Sequence, residues 1–130
     1  MSVTDRFVTA RLIEERCELH YECGGLWNID TIEELFATLN RTCLPLVQAG
    51  KPIYSIADFS AAIPQERATA EKIAGYLKEA QRHGLKRTAI FGAPALMKMQ
   101  YKRISQGITL EFFDTEREAL AWLRADRTQS

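Results

Sequence analysis

Along this 130-residue chain the spacing of hydrophobic positions switches between two and 3.6, and each switch marks an element. From Cys17 to Cys23 the spacing is two: Cys17, Leu19, Tyr21 and Cys23 alternate with Glu18, His20 and Glu22. That pattern predicts a half-buried strand with one wet face. Phe7 to Glu14 is a β-type run just before it. Glu15-Arg16 is a poor two-residue turn, so the pair reads as an antiparallel hairpin with a longer or bulged connection. Gly24-Gly25 ends the run. The period then becomes helical at Ile32, Leu35, Phe36 and Leu39. Asp30 is the expected cap of this helix, with Glu33 as its reciprocal partner. Pro45 is expected to kink or interrupt it near its end, and Gly50 closes it.

Pro52 to Asp58 reads as a third strand. A helix from about Glu66 to Arg82 buries Ala70, Ile73, Ala74, Leu77 and Ala80, and stops at His83-Gly84. Thr88 to Phe91 is a short fourth strand. Pro94 suits the first turn of a helix running from Ala95 to Gln106. Ile108 to Phe113 is the fifth strand. Thr115-Glu116-Arg117-Glu118 is a capping box opening a last helix that buries Ala119, Leu120, Trp122 and Leu123. Arg124 to Ser130 is a polar tail expected to fray, which leaves an ordered core over residues 5–124 of one domain.

The order β-β-α-β-α-β-α-β-α predicts an α/β domain with a mixed, mostly parallel five-stranded sheet. The first strand is its antiparallel member, because alternating strand and helix demands parallel crossovers. Polar residues on one face (Glu18, His20, Glu22, Thr109, Glu111) predict that helices do not fully cover both sides.

Composition narrows the chemistry. The chain has 17 basic and 17 acidic residues and is 46% hydrophobic, an ordinary globular balance. The zero net charge argues against nucleic acid. No apolar run approaches a membrane span, so an integral membrane protein is not expected. Charged residues throughout the first thirty positions predict no secretory signal, and the three cysteines, Cys17, Cys23 and Cys43, then read as reduced thiols in a cytoplasmic protein. Cys17, His20 and Cys23 are spaced like metal ligands, but strand alternation puts His20 on the face opposite the two cysteines. No metal site and no cofactor is expected. Walker, G-x-G-x-x-G, nucleophile-elbow and H-E-x-x-H motifs are absent, so no catalytic residue is assigned.

Three segments carry a family likeness. The strand ending Ile56-Ala57-Asp58-Phe59-Ser60, the run Leu85 to Gly92, and above all Phe112-Phe113-Asp114-Thr115 through Ala119, Trp122 and Leu123 resemble SpoIIAA-like (STAS-type) domains. The last piece resembles that family's closing signature, Phe-Asp-Ser/Thr-x-x-x-Ala-x-x-Trp-Leu. The resemblance implies a non-enzymatic module that binds a protein partner or a small ligand. In the family, a serine in an Asp-Ser-Ser-Gly-Leu motif after the third strand is phosphorylated. Ile63-Pro64-Gln65-Glu66-Arg67 stands there in this chain, so the resemblance does not carry the phospho-switch over. The branch that fits is the uncharacterised one, related in fold to lipid-carrying CRAL-TRIO domains.

Open α/β sheets bind ligands beyond the carboxyl ends of their strands. The candidates there are Asp58, Phe59 and Ser60, then Gly92 to Ala95, then Asp114 and Thr115. Asp114 and Thr115 equally suit a helix cap, and Ser60 a turn bond. Charge is also segregated. Residues 78–103 carry seven basic residues and one acidic, and the rest of the chain carries the opposing −6. Lys98, Lys102 and Arg103 cluster on one predicted helix. They suit either a solvated face or an acidic partner, an anionic headgroup or a second copy's acidic end. Three functions follow as expectations: a STAS-type interaction module with a protein partner or self-association; a carrier of a small apolar ligand near Phe59, Met97, Met99 and Tyr101; and an enzyme using Asp58 and Asp114.

Overall fold

The computed structural model of the chain describes residues 5–127. Its elements run β1 (Phe7–Ile13), a 3-10 turn at Glu14–Arg16, β2 (Glu18–Gly24), α1 (Ile32–Gln48), β3 (Ile53–Asp58), α2 (Arg67–Arg82), β4 (Leu85–Phe91), α3 (Ala95–Ile104), β5 (Leu110–Phe113) and α4 (Glu116–Arg124). The strands lie side by side in chain order. β1 pairs antiparallel with β2, and β2 to β5 are parallel.

That strand order decides where the helices go. The crossovers β2-α1-β3, β3-α2-β4 and β4-α3-β5 all step across the sheet in one direction. A common hand of crossover then stacks α1, α2 and α3 on the same face. The main core forms beneath them, with Leu19, Ile53, Ala57 and Ile90 from the sheet meeting Leu35, Leu46, Ile73, Leu77 and Met97 from the helices. α4 follows β5 to the other face, where Ala119 and Leu123 pack on Ile56 and Ala89. The second helical layer is therefore one nine-residue helix over β3, β4 and β5.

The element order and sheet class match the sequence expectation; several local readings do not. The β1–β2 connection is longer than two residues, as expected. Cys17 sits at its left-handed end (φ 55°) and not in the strand. Asp30 does not cap α1. Asn28 organises that entry: its Oδ1 accepts from the backbone N–H of Asp30 and of Thr31, and Thr31 Oγ1 accepts from Asn28 N. Pro45 does not stop α1, which continues to Gln48, because the missing N–H falls in the last turn and costs one intrahelical bond. β4 starts at Leu85, not Thr88, while α3 ends at Ile104 and β5 begins at Leu110. Thr115 caps α4 as expected, its Oγ1 accepting from Glu118 N at 3.2 Å.

Two corrections change the surface. The expected wet face of β2 is largely dry: Glu18 is fully buried and His20 is 8% exposed. The expected frayed tail is anchored as far as it is described, since Arg124 and Arg127 both bind Glu18. Residues 128–130 lie outside the described residues.

Candidate functional site

Parallel strands deliver Asp58, Ser60, Gly92 and Asp114 to one end of the sheet, as the sequence predicts. The first three form one knot. Asp58 Oδ1 accepts from Ser60 N at 2.9 Å and from Ser60 Oγ at 2.6 Å, an Asx turn that closes the end of β3. Gly92 lies against it with φ 76°, and a Cβ there would come within 2.6 Å of Ser60 Oγ. Glycine is thus required twice over, by the left-handed backbone and by the close approach.

The other candidates separate. Phe59 points inward, 1% exposed, and meets Tyr101 edge-on at 5.1 Å between ring centroids. Asp114 is exposed and pairs with Lys98 Nζ at 3.8 Å. Asp58 and Asp114 end strands that are two places apart in the sheet, about 10 Å at the usual spacing of strands. Lys102 and Arg103 are exposed on the outer face of α3, where Leu96 (66% exposed) and Met99 (59%) share that face. The rest of the basic segment is partly spent inside the fold. Arg87 Nη1 donates to the carbonyls of Trp122, Leu123 and Ala125 at the end of α4, whereas Arg82 pairs with Glu79 on the surface.

An open trough of about 330 Å³ crosses the α4 face of the sheet where α4 leaves it bare. Arg11, His20, Glu22, Asp58, Phe91 and Glu116 line it. Glu22 and Asp58 are directly opposite one another in the β2–β3 register, so two like charges share one face. At the other end of this face lies the strongest ionic cluster. Glu18 accepts two bonds from Arg124 (2.8 and 2.9 Å), one from Arg127 (2.9 Å), and bonds His20 Nε2 (2.9 Å). Burial pushes the Glu18 carboxyl up, but the Arg124 and His20 bonds and the two guanidinium charges win and hold it at about 2.

The helix-covered face holds an apolar cavity of about 30 Å³, bordered by Tyr21, Trp27, Phe59, Met97 and Tyr101. It is water-sized. Met99 is outside it, exposed. Burial raises the phenol pKa of Tyr21 and Tyr101, and pushes the Cys23 thiol up to about 12, with the Glu22 and Asp58 charges adding to it. Cys23 is therefore a protonated core residue at neutral pH. His20 lies on the opposite face, as alternation requires, and no group of three or more His, Cys, Asp or Glu side chains among the described residues is placed to hold a metal.

Sequence reasoning missed Gln65 and Gln100. Gln65, 8% exposed, accepts from Trp27 N and donates to the carbonyls of Gly25 and Ile63. Its backbone exchanges two bonds with the Gln100 side chain, at 2.8 and 2.7 Å. Apart from Ile63, these partners lie 35 to 40 residues away, and no local pattern marks them. Glutamine thus ties the β3–α2 loop to α3 at the place where the family resemblance would put a phosphorylated serine.

No family model and no curated protein matches the sequence. Solved structures do match the fold. An uncharacterised protein of the DUF3478 family with a SpoIIAA-like fold, from Shewanella loihica PV-4, superposes with a TM-score of 0.65 at 22% identity, covering 95% of this chain and 98% of that one. The structure of SLC26A9 matches with a TM-score of 0.64 at 10% identity, over 94% of this chain and 24% of that protein. At these identities the likeness is one of fold: this chain is an α/β domain of SpoIIAA-like fold. No described helix is long and apolar enough to cross a membrane.

Proposed function

We propose that this SpoIIAA-like domain is a non-catalytic STAS-type regulatory module that works by binding a protein, without a phosphoserine switch. The outer face of α3 carries the proposal. Leu96 and Met99 are the two most exposed large hydrophobic residues described, one helical turn apart, and Lys102 and Arg103 border them. An apolar centre with a charged rim is the anatomy of a protein interface. The buried bonds of Gln65 support the second half of the reading, because the β3–α2 loop is fixed by uncharged side chains.

The other two readings receive less support. A water-sized cavity offers no room for an acyl chain without displacing Phe59 or Tyr101. Asp58 is tied to Ser60, and Asp114 lies exposed two strands away beside Lys98, so the two carboxylates have different neighbours. A cytoplasmic location belongs to the same proposal.

The test is retention of a stoichiometric partner from native cytosol by the unaltered chain and by Leu96→Glu/Met99→Glu. Leu44→Glu, at the far end of α1, is the control. The expected result is loss of the partner with the α3 variant alone. Retention by all three, or failure of the unaltered chain to bind any protein, a second copy of itself included, overturns the reading.

A further inference from the structure

Six large hydrophobic residues are exposed in the described structure, and four of them form two patches on the helix-covered side of the molecule. Leu96 (66%) and Met99 (59%) belong to α3, which follows β4. Leu26 (41%) and Ile29 (48%) belong to the segment between β2 and α1. Crossovers of one hand put α1, α2 and α3 on one face of the sheet, and α2 touches both α1 and α3. Both patches therefore lie on the helical side, one on each side of α2.

Their charges are opposite. Residues 26–34 contain Asp30, Glu33 and Glu34 and no basic residue. α3 contains Lys98, Lys102 and Arg103 and no acidic residue. Each patch is thus a pair of exposed apolar side chains beside three like charges, and the two patches have opposite sign. Lys72 and Asp114 temper this only in part: Lys72 reaches Glu33 at 3.6 Å and donates to the Ile29 carbonyl at 2.7 Å, and Asp114 lies 3.8 Å from Lys98.

We infer that the outer face of the helical layer is a self-complementary surface whose occupant is a second copy of the same chain. A two-fold axis over α2 would seat the basic patch of one protomer on the acidic patch of the other, and the reverse, in one step. Two unlike patches on either side of a centre suit an isologous pair, which closes at two copies and does not grow further. The apolar pairs would be desolvated at each contact, and the charges would set partner and orientation. This rests on the interaction-module reading and names its partner.

Sedimentation of the full chain tests it, using two charge-reversed variants. Lys102→Glu/Arg103→Glu makes both patches acidic; Asp30→Lys/Glu34→Lys makes both basic. All four positions are exposed, and circular dichroism verifies that each variant folds. The unaltered chain is expected to dimerise, and to dissociate at about 1 M salt, where the screening length falls to about 3 Å. Each variant alone is expected to lose at least tenfold in dimer affinity. Mixed one to one, the two variants are expected to form a heterodimer, because both contacts again join opposite charges.

A chain that stays monomeric at about 1 mM protein and low salt overturns the inference. So does a dimer that both variants keep, a mixture that stays monomeric, or growth into species larger than two. If the chain is monomeric but Leu96→Glu/Met99→Glu still loses a cytosolic partner, the interaction-module reading stands and only the self-pairing falls. An anionic lipid surface is excluded as the occupant by unchanged sedimentation with vesicles containing phosphatidylserine. Vesicle binding that is lost in Lys102→Glu/Arg103→Glu, with no dimer formed, overturns the self-pairing in favour of a membrane.

Discussion

Arg124, in the last turn of α4, holds Glu18, the first residue of β2, through two hydrogen bonds of 2.8 and 2.9 Å across 106 residues of chain. The forked geometry matches guanidinium to carboxylate, and Arg127 adds a third charged bond. Glu18→Gln leaves two guanidinium groups facing a neutral amide. The expected cost is about 3 kcal/mol of unfolding free energy, in the range for breaking a buried ion pair. Urea denaturation at pH 7 measures it, and a change below about 0.5 kcal/mol, the ordinary level for surface substitutions, would show the cluster to be ornamental to stability.

The same carboxyl sets an acid limb. Its folded pKa is held at about 2, below its ordinary 4.5. A depressed carboxyl contributes stability that is complete above the unfolded value and is lost as pH falls through the folded one. The stability gap between the unaltered chain and Glu18→Gln is therefore expected to be constant above about pH 5 and to shrink between about pH 4.5 and pH 2. Denaturation curves at several pH values across that window read the gap directly; a gap that widens on acidification contradicts the assignment.

Ser55 and Thr88 face each other in the β3–β4 register, both buried, with their hydroxyl oxygens 2.9 Å apart. Removing one hydroxyl strands the other in the core. Ser55→Ala is expected to cost about 1–3 kcal/mol, whereas Ser55→Ala/Thr88→Val is expected to cost less than that single change. A double-mutant cycle with additive losses would mean that the two hydroxyls are not paired.

Gly92→Ala adds a methyl within 2.6 Å of Ser60 Oγ at a positive φ. The expected loss is about 1–3 kcal/mol, divided between backbone strain and collision. Ser60→Gly in the same chain is expected to recover the collision part only. Equal stability of Gly92→Ala with and without Ser60→Gly would remove the proposed close approach.

The sequence was informative wherever one element's own periodicity decided the outcome. The alternation of β2, the stripe of α1 and the Thr115–Glu118 box gave strands, helices and a cap in the right order. The one-directional crossovers then stacked three helices on a single face. Burial of Glu18 and His20 was illegible because the groups that cover them come from α4 and from Arg127, at the far end of the chain. Phe59 sat in a polar neighbourhood by sequence, yet its ring turns toward Tyr101. Asn28 was overlooked because Asp30 and Glu33 fit a commoner cap, while the actual turn uses a side chain two residues earlier. Local rules name elements; partners contributed from a hundred residues away decide which polar groups stay wet.

The thin second layer gives this domain an unequal pair of sides. A nine-residue helix is too short to persist alone in water, so α4 keeps its shape only while docked. Its grip is two buried apolar residues, Ala119 and Leu123, with an ionic latch at one end and the bonds from Arg87 to its last carbonyls. The three-helix side holds by far the larger core. Amide exchange should therefore divide the molecule: α4 would open as its own unit at lower free energy than the central strands. Each opening would bare Ile56 and Ala89 together with the buried charge of Glu18. The bared apolar sheet and the lost ion pairs set the cost of each opening, because Glu18 itself is rehydrated and its carboxyl returns toward its ordinary 4.5.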